Sequence, residues 1–267
     1  MANSPSNRSG KKQGNTVGAQ QSRKRTTNSV PTQSQQATPA SNSSQSDAHW
    51  KLDVVRGVLI VCFVLLHLVD TLWPSSLVAF WPLLSFIGSS VFLVTVGMSV
   101  SLLYRAQGSF PRHVLSVAFR LLLIALAVSM ISYYYSPTNV ITFGILHVIA
   151  LSLVLCIFVV ARPLMALLIG IAFFIEGLIL SISPTLPTAL GWIGPSPFLL
   201  DGFEYYPLLP WAGLIFIGIY LSHRLYPNIE NMTVAPTTAR PFIWCSKYVL
   251  VLYLLTPVVT LLLLHVI

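Results

Sequence analysis

Long apolar runs separated by short polar joins fill the chain from residue 52 onward. Runs near 52–73, 83–104, 113–134, 141–161, 163–183, 207–225 and 244–266 each have about the 20 residues that cross a bilayer as a helix. Pro82, Pro111, Pro163, Pro184 and Pro241 punctuate the joins. This pattern predicts an all-α polytopic transmembrane helix bundle of about seven spans. Residues 1–48 are rich in Ser, Gln, Asn and Thr, with basic clusters at Lys11-Lys12 and Arg23-Lys24-Arg25. They have little to bury and are expected to form a disordered polar tail ahead of one membrane domain at 49–267. The tail is too long and polar for a secretory n-region, and no small-residue cleavage site follows the first apolar run. That run is read as a retained span.

Composition sharpens the class. The chain of 267 residues is 55% hydrophobic and only 8% charged, with mean hydropathy +0.77. Soluble domains carry about 25% charged residues, so this is an integral membrane protein. The 15 Lys and Arg against 7 Asp and Glu might suggest nucleic acid as a partner, but the basic residues flank apolar runs instead. Placing the N-terminus in the cytoplasm puts Lys51, Arg105, Arg112, Arg162, Arg224, Arg240 and Lys247 at the inner ends. The outer joins then hold only Asp201 and Glu204. The distribution predicts a multi-pass protein of the cytoplasmic membrane. Cys62, Cys156 and Cys245 all lie in apolar runs and give no metal-ligand spacing.

The first run carries Asp53, Arg56, His67 and Asp70. An ionisable residue at bilayer depth costs roughly 2.5–3.5 kcal/mol, so such residues mark function. On a helix these four project within an arc of roughly 100°. Counting about 1.5 Å per residue puts His67 and Asp70 in the outer half of the first span. His147 of the fourth span, Glu176 of the fifth, and Glu204 with Tyr206 at the mouth of the sixth fall at the same level. Span ends also tolerate polar groups for purely structural reasons. A histidine beside carboxylates in a restricted cavity suits general acid–base catalysis, or transient acyl carriage on the imidazole. No metal is expected, because no ligand motif such as HExxH is present. At the inner end Asp53 and Arg56 are expected to pair at i, i+3. Arg56, Arg105, Arg112 and Arg120 suit a phosphorylated donor such as coenzyme A, although positive-inside sorting alone accounts for most of them.

Three motifs together resemble the heparan-α-glucosaminide N-acetyltransferase catalytic-domain family. They are Leu52-Asp53-Val54-Val55-Arg56-Gly57 with the run to His67, then Phe143-Gly144-Ile145-Leu146-His147, then Glu204-Tyr205-Tyr206-Pro207-Leu208-Leu209-Pro210-Trp211. The resemblance implies acetyl transfer from cytoplasmic acetyl-CoA, or another acyl-CoA, to a sugar acceptor across the membrane. It marks Asp53, Arg56, Gly57, His67, His147, Glu204 and Tyr206 as matching positions. The expected assignment is His67, Asp70 and His147 for catalysis, with Glu204, Tyr206 and Glu176 on an outer glycan or glycolipid acceptor. Arg56, Arg105, Arg112 and Arg120 would then serve the donor. Buried His and carboxylates also serve proton-coupled transporters, against which stand the lack of an internal repeat and of paired broken helices. A non-catalytic scaffold explains the topology but not the buried His and Glu.

Overall fold

A computed structural model of the chain describes residues 50–72, 80–106, 109–135, 140–182, 187, 190–195, 205–227 and 235–266. The expected tail at 1–48 and Glu204 lie outside the described residues, as does the side chain of Asp70. The described residues form α1 (Trp50–Leu72), α2 (Trp81–Ala106), α3 (Phe110–Tyr135) and α4 (Ile145–Val159). These are followed by α5 (Pro163–Ile182), α6 (Leu208–Leu225), α7 (Arg240–Lys247) and α8 (Val249–Val266). Pro111, Pro163 and Pro241 sit in the first turns of α3, α5 and α7, where a missing N–H costs nothing.

Five of these helices are long and apolar enough to cross a membrane: Trp50–Val69, Leu83–Ala106, Phe110–Tyr134, Pro163–Ile182 and Leu208–Leu225. Their outward faces are apolar, as Phe119, Leu123 and Met130 of α3 and Leu164, Leu168 and Ile179 of α5 illustrate. A face of that kind is stable against lipid, not water. The protein is an integral membrane protein. α4 is apolar but shorter, at 15 residues.

The run expected at 244–266 is not one helix. It breaks at Tyr248 (φ −106°, ψ 17°) into α7 and α8. α7 carries Arg240, Trp244 and Lys247 on its exposed side and buries Ile243 and Ser246. That two-sided composition suits the membrane interface better than its interior. An unbroken apolar stretch in the sequence hides the bend.

Most of the core is built around α6, the most buried of the five long helices. α6 runs parallel to α2: Trp211 meets Phe86 at 5.4 Å, Gly97 abuts Ile215, and Arg105 donates to the carbonyls of Tyr226 (2.5 Å) and Pro227 (2.6 Å). It runs antiparallel to α5, where Gly177 meets Pro210 and Gly170 meets Gly213. α1 runs antiparallel to α2, with Leu52 against Met98 and Leu102, and Arg56 against Thr95 and Ser99. These directions fit a chain that reverses at every helix.

Small residues make these contacts possible. Without water to drive apolar helices together, membrane helices associate by close backbone approach. A Cβ on Gly97 would land inside the Ile215 carbonyl oxygen, and one on Gly218 inside that of Val94. Gly97→Ala is therefore expected to lower unfolding stability by about 1–3 kcal/mol through overpacking. Gly88, with nothing within 4 Å of its would-be Cβ, should tolerate alanine and gain up to about 1 kcal/mol of helix propensity. Thermal unfolding of the detergent-solubilised pair checks this. Equal midpoints would contradict the packing account.

Candidate active site

The end of the bundle where α6 begins is knitted by backbone that is not helical. Tyr206 donates its N–H to the Phe143 carbonyl at 2.8 Å, and Leu208 and Leu209 donate to Trp192 and Ile193 at 2.9 and 2.7 Å. A non-helical turn at Leu209 (φ −95°, ψ 127°) orients these two donors. The Tyr205 hydroxyl lies 2.6 and 2.8 Å from the carbonyls of Gly191 and Gly194. Ser129 and Ser132 of α3 bind the carbonyl and N–H of Ile141. Every polar backbone group tied here is one that lipid could not satisfy.

This knot aims Tyr206 inward. Its ring packs on Trp211 at 4.8 Å, and its hydroxyl is 2.9 Å from the Ser89 hydroxyl of α2. Both residues line a cavity of 660 Å³ enclosed by α1, α2, α3, α4 and α8. The α2 wall runs from Leu84 to Leu103, roughly 28 Å of helix at 1.5 Å per residue and so close to the ~30 Å hydrocarbon core. The lining is mostly aliphatic and aromatic. Its polar members include Arg56, Ser85, Ser89, Ser99, His113 and Tyr206.

Arg56 is the best-connected of these. Its Nε donates to Thr95 Oγ1 at 3.2 Å, and its Nη2 donates to the Thr95 carbonyl at 2.8 Å and to Ser99 Oγ. Thr95 and Ser99 in turn donate to the carbonyls of Phe92 (2.7 Å) and Thr95 (3.0 Å). The expected pair with Asp53 is present at 3.9 Å, and Asp53 accepts from Ser246 of α7 at 3.3 Å. A chain of polar contacts thus ties α7, α1 and α2. Gly57, one residue on, lets the backbone of Phe242 in α7 approach α1 directly.

His67 stacks on Phe63 at 6.0 Å and Phe63 stands on the cavity wall, but the cavity-lining residues do not include His67 itself. His147 is buried in the first turn of α4, where its Nδ1 accepts the Gly144 N–H at 3.2 Å and its ring stacks on Phe143 at 5.2 Å. With Nδ1 so engaged, the neutral ring carries its proton on Nε2. Its neighbours Ile145 and Leu146 line the cavity. Neither histidine lines the cavity; His67 adjoins a lining residue through its stack on Phe63, and His147 follows Ile145 and Leu146 in the chain.

The other expected residues separate. Glu176 is exposed on α5, among lipid-facing Ile175 and Ile179, and is not on the cavity wall. Arg120 is exposed, its Nε donating to the Ser116 carbonyl at 3.2 Å. Arg112 is exposed beside His113, and Arg105 is spent on the end of α6. Of the four arginines, Arg56 alone lines the cavity. Ser89, Thr95 and Ser99 escaped sequence reasoning; the signal was small hydroxyl residues at helical spacing on α2. Among the described residues no group of three His, Cys, Asp or Glu side chains converges as a metal site.

The family model described as Heparan-alpha-glucosaminide N-acetyltransferase, catalytic, matches residues 49–258. The chain belongs to this family. All three motifs fall within the match, together with every residue that lines the cavity. Comparisons with curated proteins and with solved structures give no match. In this member of the acetyltransferase family the motifs divide their work. The first supplies the Arg56 network and the contact with α7. The second shapes the start of α4. The third, at Tyr205 and Tyr206, builds the backbone knot before α6 and points a hydroxyl into the cavity.

Replacing Arg56 by leucine removes three hydrogen bonds from a charged donor and leaves Asp53 without its cation. It should cost about 2 kcal/mol or more, against about 1 for Ser99→Ala. Unfolding midpoints of the two variants would show this ordering; a wild-type midpoint for Arg56→Leu would refute the network's structural role.

Proposed function

We propose that this protein is a transmembrane acyltransferase of the cytoplasmic membrane. It would move an acetyl or other acyl group from cytoplasmic acyl-CoA to an outer-side glycan or glycolipid. The observation that carries the reading is the cavity that follows α2 over nearly the thickness of a bilayer. The family supports the class of chemistry. With the N-terminus inside, the His113 end opens toward the cytoplasm and the Tyr206 end toward the outside. Seven crossings, with α8 as the last, would complete this topology.

The donor's nucleotide stays at the inner mouth near Arg112 and His113, and its pantetheine arm enters the cavity. Arg56 donates to a carbonyl of the arm as it passes, because a guanidinium has five N–H groups and Thr95 and Ser99 engage only three of them. The thioester comes to rest between Phe63 and Ser89. There the acceptor hydroxyl or amine attacks: the acyl C–S bond breaks and a C–O or C–N bond forms. The acceptor's proton passes through His67, oriented by Asp70, to the departing thiolate, which leaves as coenzyme A thiol. Tyr206 and Ser89 set a hydroxyl pair, 2.9 Å apart, on the wall where the acceptor and the developing oxyanion would lie. His147 holds the wall through Ile145 and Leu146, and Glu204 lies beside Tyr206 in sequence for the acceptor. Glu176, exposed on α5, has no part in this scheme.

Purified protein in nanodiscs should release coenzyme A thiol from acetyl-CoA when a glycan or glycolipid acceptor is supplied. His67→Ala should reduce release by about 100-fold or more, as loss of a general base does. Tyr206→Phe should raise the acceptor KM more than the donor KM. Cys62, an exposed thiol on the cavity wall, gives a readout without turnover: in a Cys245→Ser background, acetyl-CoA should protect it from alkylation. Proton-driven flux in proteoliposomes lacking acyl-CoA, with no protection of Cys62, would instead favour a transporter.

A further inference from the structure

Among the described helical glycines, Gly88 differs in that its absence of a side chain does nothing for helix packing. At Gly57, Gly97, Gly170, Gly177, Gly213 and Gly218 a Cβ would strike another helix's backbone, whereas at Gly88 it would meet nothing within 4 Å. A mid-helix glycine costs roughly 0.5–1 kcal/mol relative to alanine, and here no contact offsets it. What the missing side chain does provide is room, since Gly88 lines the cavity.

The position of that room follows from the α1–α2 register. Leu52 touches Met98 and Leu102, and Arg56 binds Thr95 and Ser99. Continuing the antiparallel pairing outward brings Phe63 to Leu66 opposite the turn at Gly88. Phe63, Leu66, Leu84, Ile87, Ile145 and Ile149 line the same cavity, with Leu84 and Ile87 exposed. Ser89 and Tyr206 stand at its edge, and His67 lies behind Phe63. It is an apolar chamber beside the hydroxyl pair.

An acetyl group offers a single methyl beyond its carbonyl and would leave such a chamber largely unfilled. Voids against aliphatic walls forfeit dispersion contacts, so the better-fitting occupant is a longer aliphatic chain. We infer that this chamber is an acyl-chain pocket accepting groups longer than acetyl, with Gly88 setting the upper limit of chain length. The inference rests on the acyl-CoA reading given above, and it specifies the donor. The transfer step keeps the same balance: only the alkyl group behind the carbonyl changes.

The test uses the full chain in nanodiscs with acetyl-CoA, butyryl-CoA and hexanoyl-CoA. Two readouts run in parallel: release of coenzyme A thiol, and the donor concentration that half-protects Cys62 in the Cys245→Ser background. Wild type should handle butyryl- and hexanoyl-CoA at least as well as acetyl-CoA. Gly88→Leu should lower the hexanoyl-to-acetyl ratio by at least about 10-fold, the order of discrimination that one methylene gives in an apolar pocket. Gly88→Ala should move the ratio in the same direction by less, and it carries the test if the leucine variant does not fold. Wild-type selectivity for acetyl-CoA of about 10-fold or more overturns the inference, as does a ratio unchanged in both variants. No thiol release with any donor, but Cys62 protection graded by chain length, would remove the transfer reading and leave the pocket standing. Neither release nor protection removes both.

Discussion

In lipid there is no water to squeeze helices together, so α6 is held by how closely its backbone approaches those of α2 and α5. Gly97 and Gly218 bring it against α2, and Gly170 with Gly213 brings it against α5. The rest of the site inherits its geometry from that contact. Because α6 lies parallel to α2 at this distance, the residues just before α6 arrive at the first half of α2. Tyr206 then reaches Ser89, although 117 positions separate them. A looser fit would still leave a membrane bundle, but without a hydroxyl pair on the cavity wall.

The second organising element is a charge kept where lipid would exclude it. Arg56 is tolerated because Asp53 neutralises it and hydroxyls and a carbonyl of α2 replace water. Burial of an ion pair is not by itself a source of stability, since desolvation can exceed the Coulombic gain. Here the arrangement fixes register: the guanidinium reaches Thr95 and Ser99 in only one alignment of α1 on α2. The same alignment sets Phe63 opposite Gly88. Electrostatics near the start of α1 thereby bears on packing near its end.

Much of this was readable from the chain. Apolar length and proline punctuation placed α1 to α6 within a few residues, since a bilayer of fixed thickness leaves little freedom. The pair of Asp53 with Arg56 was legible because i, i+3 spacing is local. Azimuth was not legible. Counting residues put His67, His147 and Glu176 at one level, yet Glu176 turns to the outside of α5 and His147 turns to its own helix start. Rotation about a helix axis is set by neighbours, which a single sequence of apolar runs does not name. The α2 hydroxyls were missed for a related reason. A lone serine in an apolar helix looks incidental until a partner from another helix stands beside it.

The chain of contacts from Ser246 through Asp53 to Arg56 also orders events in time. α1 is the first of the described helices to be synthesised, and its most extensive partners are α7 and α8, the last. Through the making of α2 to α6, Gly57 faces an empty groove that only Phe242 fills, and Asp53 waits for its hydroxyl. The cavity wall is therefore complete only once α8, the last of the described helices, is in place. A ribosome that stops before residue 240 leaves an inserted bundle with its charged interior still open on one side.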